Sequence, residues 1–208
     1  MADIIDFYFE FSSPYGYLAS NRIEELAQET GRELRWHPIL LGPMFKAMGS
    51  APLIEIPLKG QYALRDFKRS ALLAGIPYTQ PDPFPIATVA AARAALYALG
   101  SHPESAAALI KALYRTYFVD NRRIDRPDVV LEVIKENGLD PAEFEAAIGS
   151  DAIKAALKAE VDEAMARGVF GSPFIIVDDE PFWGFDRLDH VRQWLRLRHP
   201  AGEPARHG

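Results

Sequence analysis

Two serines end the most apolar stretch near the start of the chain. Ile5, Phe7, Phe9 and Phe11 recur at every second position, the period of a strand. The run stops at Ser12-Ser13, and Pro14 then opens a helical pattern through Tyr15-Gly16-Tyr17-Leu18-Ala19. A strand therefore feeds a helix start, where N–H groups are free and the dipole favours an anion. A serine at that turn has two uses. It caps the helix, as Ser before Pro commonly does, or its hydroxyl donates to a bound anion. The chain contains no cysteine, so it has no thiol of its own to exchange. It can hold the thiolate of another molecule. An ordinary thiol titrates at about 8.5, and an added donor favours the ionised form.

Other reactive side chains are few. Asp186 precedes a helical run and suits an N-cap. Tyr15, Met44, Phe45, Phe84 and Trp183 could line an apolar slot for an aromatic ligand, or could equally fill core. The five histidines (His37, His102, His190, His199 and His207) lack ligand spacing. Without cysteine, disulfides, thiolate–zinc sites and iron–sulfur clusters are excluded. Arg192, Arg196 and Arg198 sit at the end of the last helical run and complement its dipole. Arg65, Lys68 and Arg69 read as a solvated helix face.

The 208 residues are 49% hydrophobic and 25% charged, the composition of a soluble globular protein. A chain of this length buries roughly 70% of its unfolded surface and needs no covalent staple. Its length suits one domain, or one domain carrying a large insertion. A net charge of −6 argues against non-specific nucleic-acid binding. No run of 18 apolar residues is present, and Met1–Asp6 lacks a basic secretory n-region. The expectation is a cytoplasmic protein with neither a membrane nor a nucleic-acid partner.

Several elements must position Ser13. Residues 3–11 read as a strand, 14–30 as a helix stopped by Gly31, and 33–41 as a second strand. This is a β-α-β unit. Residues 42–60 are rich in Pro, Gly and Met and read as irregular. A helix is predicted over 61–74 and an extended loop over 79–85, with prolines at 81, 83 and 85. Helices follow over 86–99, 103–119, 127–137, 141–148 and 151–167, with Asp125 and Asp140 as start signals. Phe174–Val177 is a short buried strand. A tight connection at 178–180 leads to a partner strand at 181–183. Asp186 then caps a helix to about Arg198, followed by a frayed tail. The order β-α-β, helices, β-β-α is that of an α/β protein. Its thioredoxin-like core is interrupted by an all-helical insertion domain. The boundaries are 1–41, 42–167, 168–199 and a flexible tail at 200–208.

Four segments make the likeness specific. They are Asp6 to Ala19, Pro38 to Lys46 running on to Pro57–Tyr62, Val169 to Phe174, and Phe182 to Leu188. In order and spacing, over nearly the whole chain, they resemble the kappa-class glutathione transferases and the 2-hydroxychromene-2-carboxylate isomerases, within the DsbA-like thioredoxin group. In such folds the positions Ser13-Pro14-Tyr15-Gly16 are where a redox Cys-x-x-Cys would sit. The resemblance implies glutathione as cofactor and Ser13, rather than Ser12, as the donor to its sulfur. It implies a cis bond at Ser172-Pro173, with backbone groups of Ser172 toward the cysteinyl part. Asp186 would bind the γ-glutamyl amino group beside Gly184, Phe185 and Arg187. Phe185 stands where relatives carry Ser or Asn, and Ser50 where they tend to have Asn. Lys59 would meet the glycyl carboxylate. Lys59, Lys46 and Arg187 supply the positive potential that an anionic tripeptide needs. Tyr15, Phe45, Lys46, Phe84 and Trp183 would form the pocket for a small aromatic or electrophilic substrate. A lysine and an Asn-Arg pair of the isomerases fall on Phe45, Leu53 and Ile54. A homodimer is implied as well.

Three functions are therefore weighed. The first is a glutathione-dependent isomerase acting in aromatic degradation. The second is a kappa-like transferase conjugating electrophiles. The third is a non-catalytic thioredoxin-fold protein that binds a peptide through its cis-proline face.

Overall fold

The computed structural model describes residues 3–198; the predicted tail, 200–208, lies outside them. Strand β1 (Ile4–Phe9) pairs in parallel with β2 (Glu33–Pro38), Phe7 opposite Trp36. Helices α1 (Pro14–Ser20) and α2 (Ile23–Thr30) fill the crossover where one helix was predicted. The break has a local cause. Ser20 Oγ and Asn21 Nδ2 both donate to the Tyr17 carbonyl, at 2.7 and 2.8 Å, and so compete with the backbone ladder. Gly31, at φ 66°, closes α2 in the left-handed conformation expected of a helix stop.

The stretch read as irregular holds a helix, α3 (Leu41–Met48), and a 3-10 turn at Leu53–Glu55. Pro43 lies in the first turn of α3, where its missing N–H has no partner to lose. Met44 is buried against Tyr8, Ile39 and Phe174, which anchors the helix. Helix α4 (Lys59–Ala74) begins two positions earlier than predicted. There follow α5 (Val89–Ser101), α6 (Pro103–Phe118), α7 (Pro127–Glu136), α8 (Pro141–Gly149) and α9 (Asp151–Ala166). Asp140 caps α8 through Ala142 N at 2.9 Å. Asp125 does not cap α7; Arg126 holds that position, and Asp125 pairs instead with Arg123.

The chain then returns to the sheet through β3 (Phe174–Val177) and β4 (Glu180–Trp183), giving the order β2-β1-β3-β4 with β3 antiparallel to both neighbours. Asp178 and Asp179 join them at φ 50° and 63°, the doubly left-handed turn that suits the twist of a two-residue hairpin. Helix α10 (Leu188–Arg198) completes the described chain.

Helices cover both faces of the sheet, and the side chains alternate accordingly. Ile5, Phe7, Phe9, Ile175 and Val177 pack with α1, α5 and α6 in the main core. Tyr8, Phe174 and Ile176 pack on the other face with Val161 and Ala164 of α9. Burying one such phenylalanine contributes about 2 kcal/mol. The loops at one end of β1 and β3 are thereby held in register, and the residues of chemical interest gather there. Among the described residues, no helix is long and apolar enough to cross a membrane.

Candidate active site

Ser13 lies at the turn from β1 into α1, only 7% exposed. Its extended backbone (φ −87°, ψ 112°) lets Oγ accept the Gly16 N–H at 3.0 Å, which is an N-cap. The same hydroxyl donates to the Ser172 carbonyl at 2.8 Å. The cap weighed in the sequence is therefore present, and the hydroxyl proton goes to a backbone carbonyl. Helix α1 has seven residues, so its dipole is weaker than a helix over 14–30 would give, and the hydroxyl itself is the stronger feature.

The Ser172–Pro173 peptide bond is cis. The loop that carries it is fixed from three sides. Ser172 Oγ accepts the Glu10 N–H at 2.9 Å, and the Pro173 carbonyl accepts the Gly184 N–H at 3.1 Å. Trp183 is paired with Phe174 across β3–β4, and its ring lies 4.9 Å from that of Phe170. Ser13, Ser172, Pro173 and Gly184 are thus joined by direct hydrogen bonds, with Trp183 at the edge of the group, 56% exposed.

Tyr15 extends the site toward α4. It donates to Asp66 at 2.6 Å and stands edge-on to Phe67, ring centres 5.0 Å apart; Phe67 in turn meets Phe84 at 6.1 Å. Burial pushes the Tyr15 hydroxyl pKa up, and the hydrogen bond to Asp66 pushes it further. Burial would raise Asp66, but the bonds from Tyr15 and Arg69 outweigh it and hold that carboxyl below its ordinary value.

Asp186 sits in a 3-10 turn, Phe185–Arg187, after Gly184, and caps no helix. The helix that it was predicted to cap begins two residues later. Its carboxylate folds back over Gly184, where a Cβ would collide with Asp186 Oδ1; at φ 119° Gly184 holds a backbone that side chains disfavour. Asp186 is largely exposed, 3.4 Å from Arg187, whose guanidinium also meets His190 at 3.1 Å. Its charge acts on Tyr15, so this turn lies beside α1. Phe185 is half-buried against the main core.

Phe45, Lys46 and Lys59 are not drawn into the cluster. Phe45 is half-buried and Lys46 exposed on α3, and Lys59 is exposed at the start of α4. Among the described residues, no hydrogen bond, ion pair or ring contact joins them to Ser13. His37 lies between Asp6 and Glu160, and no His/Asp/Glu group among the described residues forms a metal site. A shallow depression of about 490 Å³ opens on the helical layer among Tyr97, Glu143 and Ile153, away from all of these residues.

Sequence reasoning passed over Glu10. It is 5% exposed, its carbonyl accepts both Ser13 N–H (3.0 Å) and Tyr114 Oη (2.9 Å), and its carboxyl accepts Ser12 N–H at 2.8 Å. Its sequence context, a carboxylate between Phe9 and Phe11 three positions before the serine, is that of an ordinary solvated strand residue.

Comparison with known proteins agrees with this geometry. Residues 4–196 match the profile of the DSBA-like thioredoxin domain. The chain is 32% identical over 200 residues to a 2-hydroxychromene-2-carboxylate isomerase of Sphingobium xenophagum, covering 94% of this chain and 99% of that protein. It is 25% identical over 208 residues to glutathione S-transferase kappa 1 of Caenorhabditis elegans, covering 94% and 92%. The solved structure of a 2-hydroxychromene-2-carboxylate isomerase superposes with a TM-score of 0.84 at 28% identity, over 96% of this chain and 100% of that one. The chain therefore belongs to the DsbA-like thioredoxin-domain family, and within it to the group of enzymes that includes the 2-hydroxychromene-2-carboxylate isomerases.

Proposed function

We propose that the protein is a glutathione-dependent isomerase of the 2-hydroxychromene-2-carboxylate type. One observation carries the reading: in a chain without cysteine, the Ser13 hydroxyl lies 2.8 Å from the carbonyl of Ser172, at a cis-proline loop. The donor set fits glutathione. Ser13 Oγ–H is a neutral donor suited to a thiolate. The carboxylate of Asp186 and the guanidinium of Arg187, side by side, match the ammonium and carboxylate of a γ-glutamyl group.

When bound, glutathione supplies a thiolate that adds to an electrophilic carbon and is eliminated again once the freed bond has rotated. The protein's own residues bind and orient. Ser13 gives up the Ser172 carbonyl as hydrogen-bond acceptor and turns its proton to the sulfur. The backbone of Ser172, whose Oγ accepts the Glu10 N–H, presents its polar groups to the cysteinyl part. Asp186 takes the amino group, with the backbone of Gly184 and Phe185 and the side chain of Arg187 beside it; Lys59, at the start of α4, takes the glycyl carboxylate. Tyr15 and Phe84, linked through Phe67, with Trp183, Phe45 and Lys46, form the apolar side for an aromatic substrate. The reading places the enzyme in the cytoplasm, where reduced glutathione is supplied, as a homodimer.

A kappa-like transferase is favoured by one observation. The polar anchors of the isomerases fall on Phe45, Leu53 and Ile54, none of which can hold a substrate carboxylate. A substrate panel that includes 2-hydroxychromene-2-carboxylate, run with and without glutathione, separates the two. An isomerase needs glutathione and leaves the thiol titre unchanged, whereas a transferase consumes one thiol per turnover. No turnover of any electrophile, with glutathione still bound, would sink both and leave the binding protein.

A further inference from the structure

The carboxyl beneath Ser13 has no role in the reading above. Glu10 directly follows the apolar strand β1, and it is tied to the site at four atoms. Its N–H holds Ser172 Oγ at 2.9 Å and its carbonyl takes Ser13 N–H at 3.0 Å. Its carboxyl accepts Ser12 N–H at 2.8 Å and the hydroxyl of Thr88, which stands before α5. One residue thus joins the turn that carries Ser13, the loop that carries Ser172 and the start of a helix. The groups that face the carboxyl are neutral: Ser12, Thr88, and from α6 Tyr114 and Tyr117. Burial, then the charge of Glu10, holds the Tyr114 hydroxyl well above its ordinary range, and burial raises Tyr117 as well. Among the described residues, no cation pairs with Glu10.

We propose that Glu10 is a positioning residue for the thiol site, tying the Ser13 turn to the Ser172 loop and taking up a proton as the bound thiol gives one up. The inference rests on the glutathione reading. A thiolate beside Ser13 and an ionised Glu10 would be two like charges with no cation paired to the carboxyl, and each disfavours the other. Exchanging one proton for another, S–H broken and O–H formed with solvent as carrier, keeps the pair of thiol and Glu10 carboxyl at a single negative charge. The carboxyl is poised for this: burial pushes it up to about 7, against the opposing bonds from Thr88 and Ser12.

The test follows the thiolate rather than turnover. Wild type and Glu10→Gln are loaded with glutathione, and the thiolate ultraviolet absorbance is recorded from about pH 5 to about pH 9. In Glu10→Gln the bound thiol should titrate about one unit lower, the scale of one removed like charge. Calorimetry near pH 7 in buffers of differing ionisation enthalpy should show wild type releasing fewer protons per glutathione bound than the Gln variant. Superimposable titrations with equal release, glutathione binding being retained, overturn the role of Glu10 and leave the cofactor reading standing. Failure of wild type to take up glutathione overturns both. If Glu10→Gln does not fold, Glu10→Asp replaces it. It keeps a carboxyl and should show the same diminished release as wild type; a full proton released by both overturns the proposal.

Discussion

The hydroxyl of Ser13 donates to the carbonyl of Ser172 across 159 positions of sequence, at 2.8 Å, while accepting the Gly16 N–H at 3.0 Å. The oxygen is held by two partners on two segments, so its position is set before any ligand arrives. A bound thiolate would replace a neutral acceptor by a charged one, and hydrogen bonds to ions are about twice as strong. The exchange is therefore favourable without moving the backbone.

Ser13→Ala should lower the glutathione-dependent rate roughly 10- to 1,000-fold, the scale of one lost anion donor. It should also cost about 1 kcal/mol of stability, because the N-cap goes with it. Steady-state kinetics and urea unfolding read the two effects separately. Ser12→Ala, which removes an Oγ that accepts the Ile86 N–H at 3.1 Å, should leave most of the rate. An equal loss in the two variants would assign the sulfur to Ser12, and an unchanged rate in Ser13→Ala would take Ser13 out of the mechanism.

Gly16→Ala tests how tightly the same cluster is packed. A Cβ at Gly16 would stand 2.7 Å from Tyr114 Oη, 2.8 Å from Ser172 Oγ and 3.1 Å from Ser13 Cβ. Tyr114 is fully buried in the core and donates to the Glu10 carbonyl, so it has no room to retreat. Alanine is a better helix former than glycine by about 1 kcal/mol, so propensity alone predicts a gain. The contacts predict the reverse, a loss of about 1–3 kcal/mol from overpacking. A raised urea midpoint would show that the cluster yields.

What was legible in the sequence was whatever local chemistry enforces. The alternation of Phe7 and Phe9, the prolines opening α6, α7 and α8, and the Ser13-Pro14 cap all act within a few residues, and each stands where it was expected. The misses lie where tertiary contacts override local signals. The segment at 41–48 looked irregular because of Gly42 and Pro43, yet burial of Met44 holds it helical. Asp186 looked like a cap, but Gly184 at φ 119° turns the chain into a 3-10 turn first. The bond from Ser13 to Ser172 has no local signature; family likeness set both residues toward one ligand, and only the fold shows the bond between them. Glu10 was missed because a lone carboxylate in a strand is usually solvated; only the fold shows Thr88 and α6 closing over it.

Asp186→Asn should weaken glutathione binding by roughly 5- to 30-fold, the range for removing one charge from a hydrogen-bonded ion. The turnover of bound glutathione should change little, since Asp186 is remote from the sulfur in the reading above. Isothermal calorimetry against γ-glutamyl-cysteine and against cysteinyl-glycine sharpens the test. Wild type should prefer the γ-glutamyl dipeptide, and Asp186→Asn should lose that preference. Equal affinity of wild type for both dipeptides would remove Asp186 and Arg187 from the site.

His37 gives a prediction about stability that does not depend on function. Its imidazole stacks on Tyr8 at 4.5 Å, with Nδ1 2.6 Å from Glu160 and Nε2 3.0 Å from Asp6, which also pairs with Arg167 at 2.9 Å. It therefore ties β2 to β1 and to α9. Burial alone would lower its pKa; the bonds to the two carboxylates outweigh burial and raise it to about 9. A group whose folded pKa is raised stabilises the fold while it stays protonated in both states. That contribution, about 2–3 kcal/mol, is complete below about pH 6.5 and fades as pH rises through about 9. Wild type should thus lose urea resistance between about pH 6 and about pH 9.5. His37→Gln should start lower at the acid end and lose less across that window. Parallel pH curves for the two proteins would mean that the imidazole titrates alike in the folded and unfolded states, with no raised pKa.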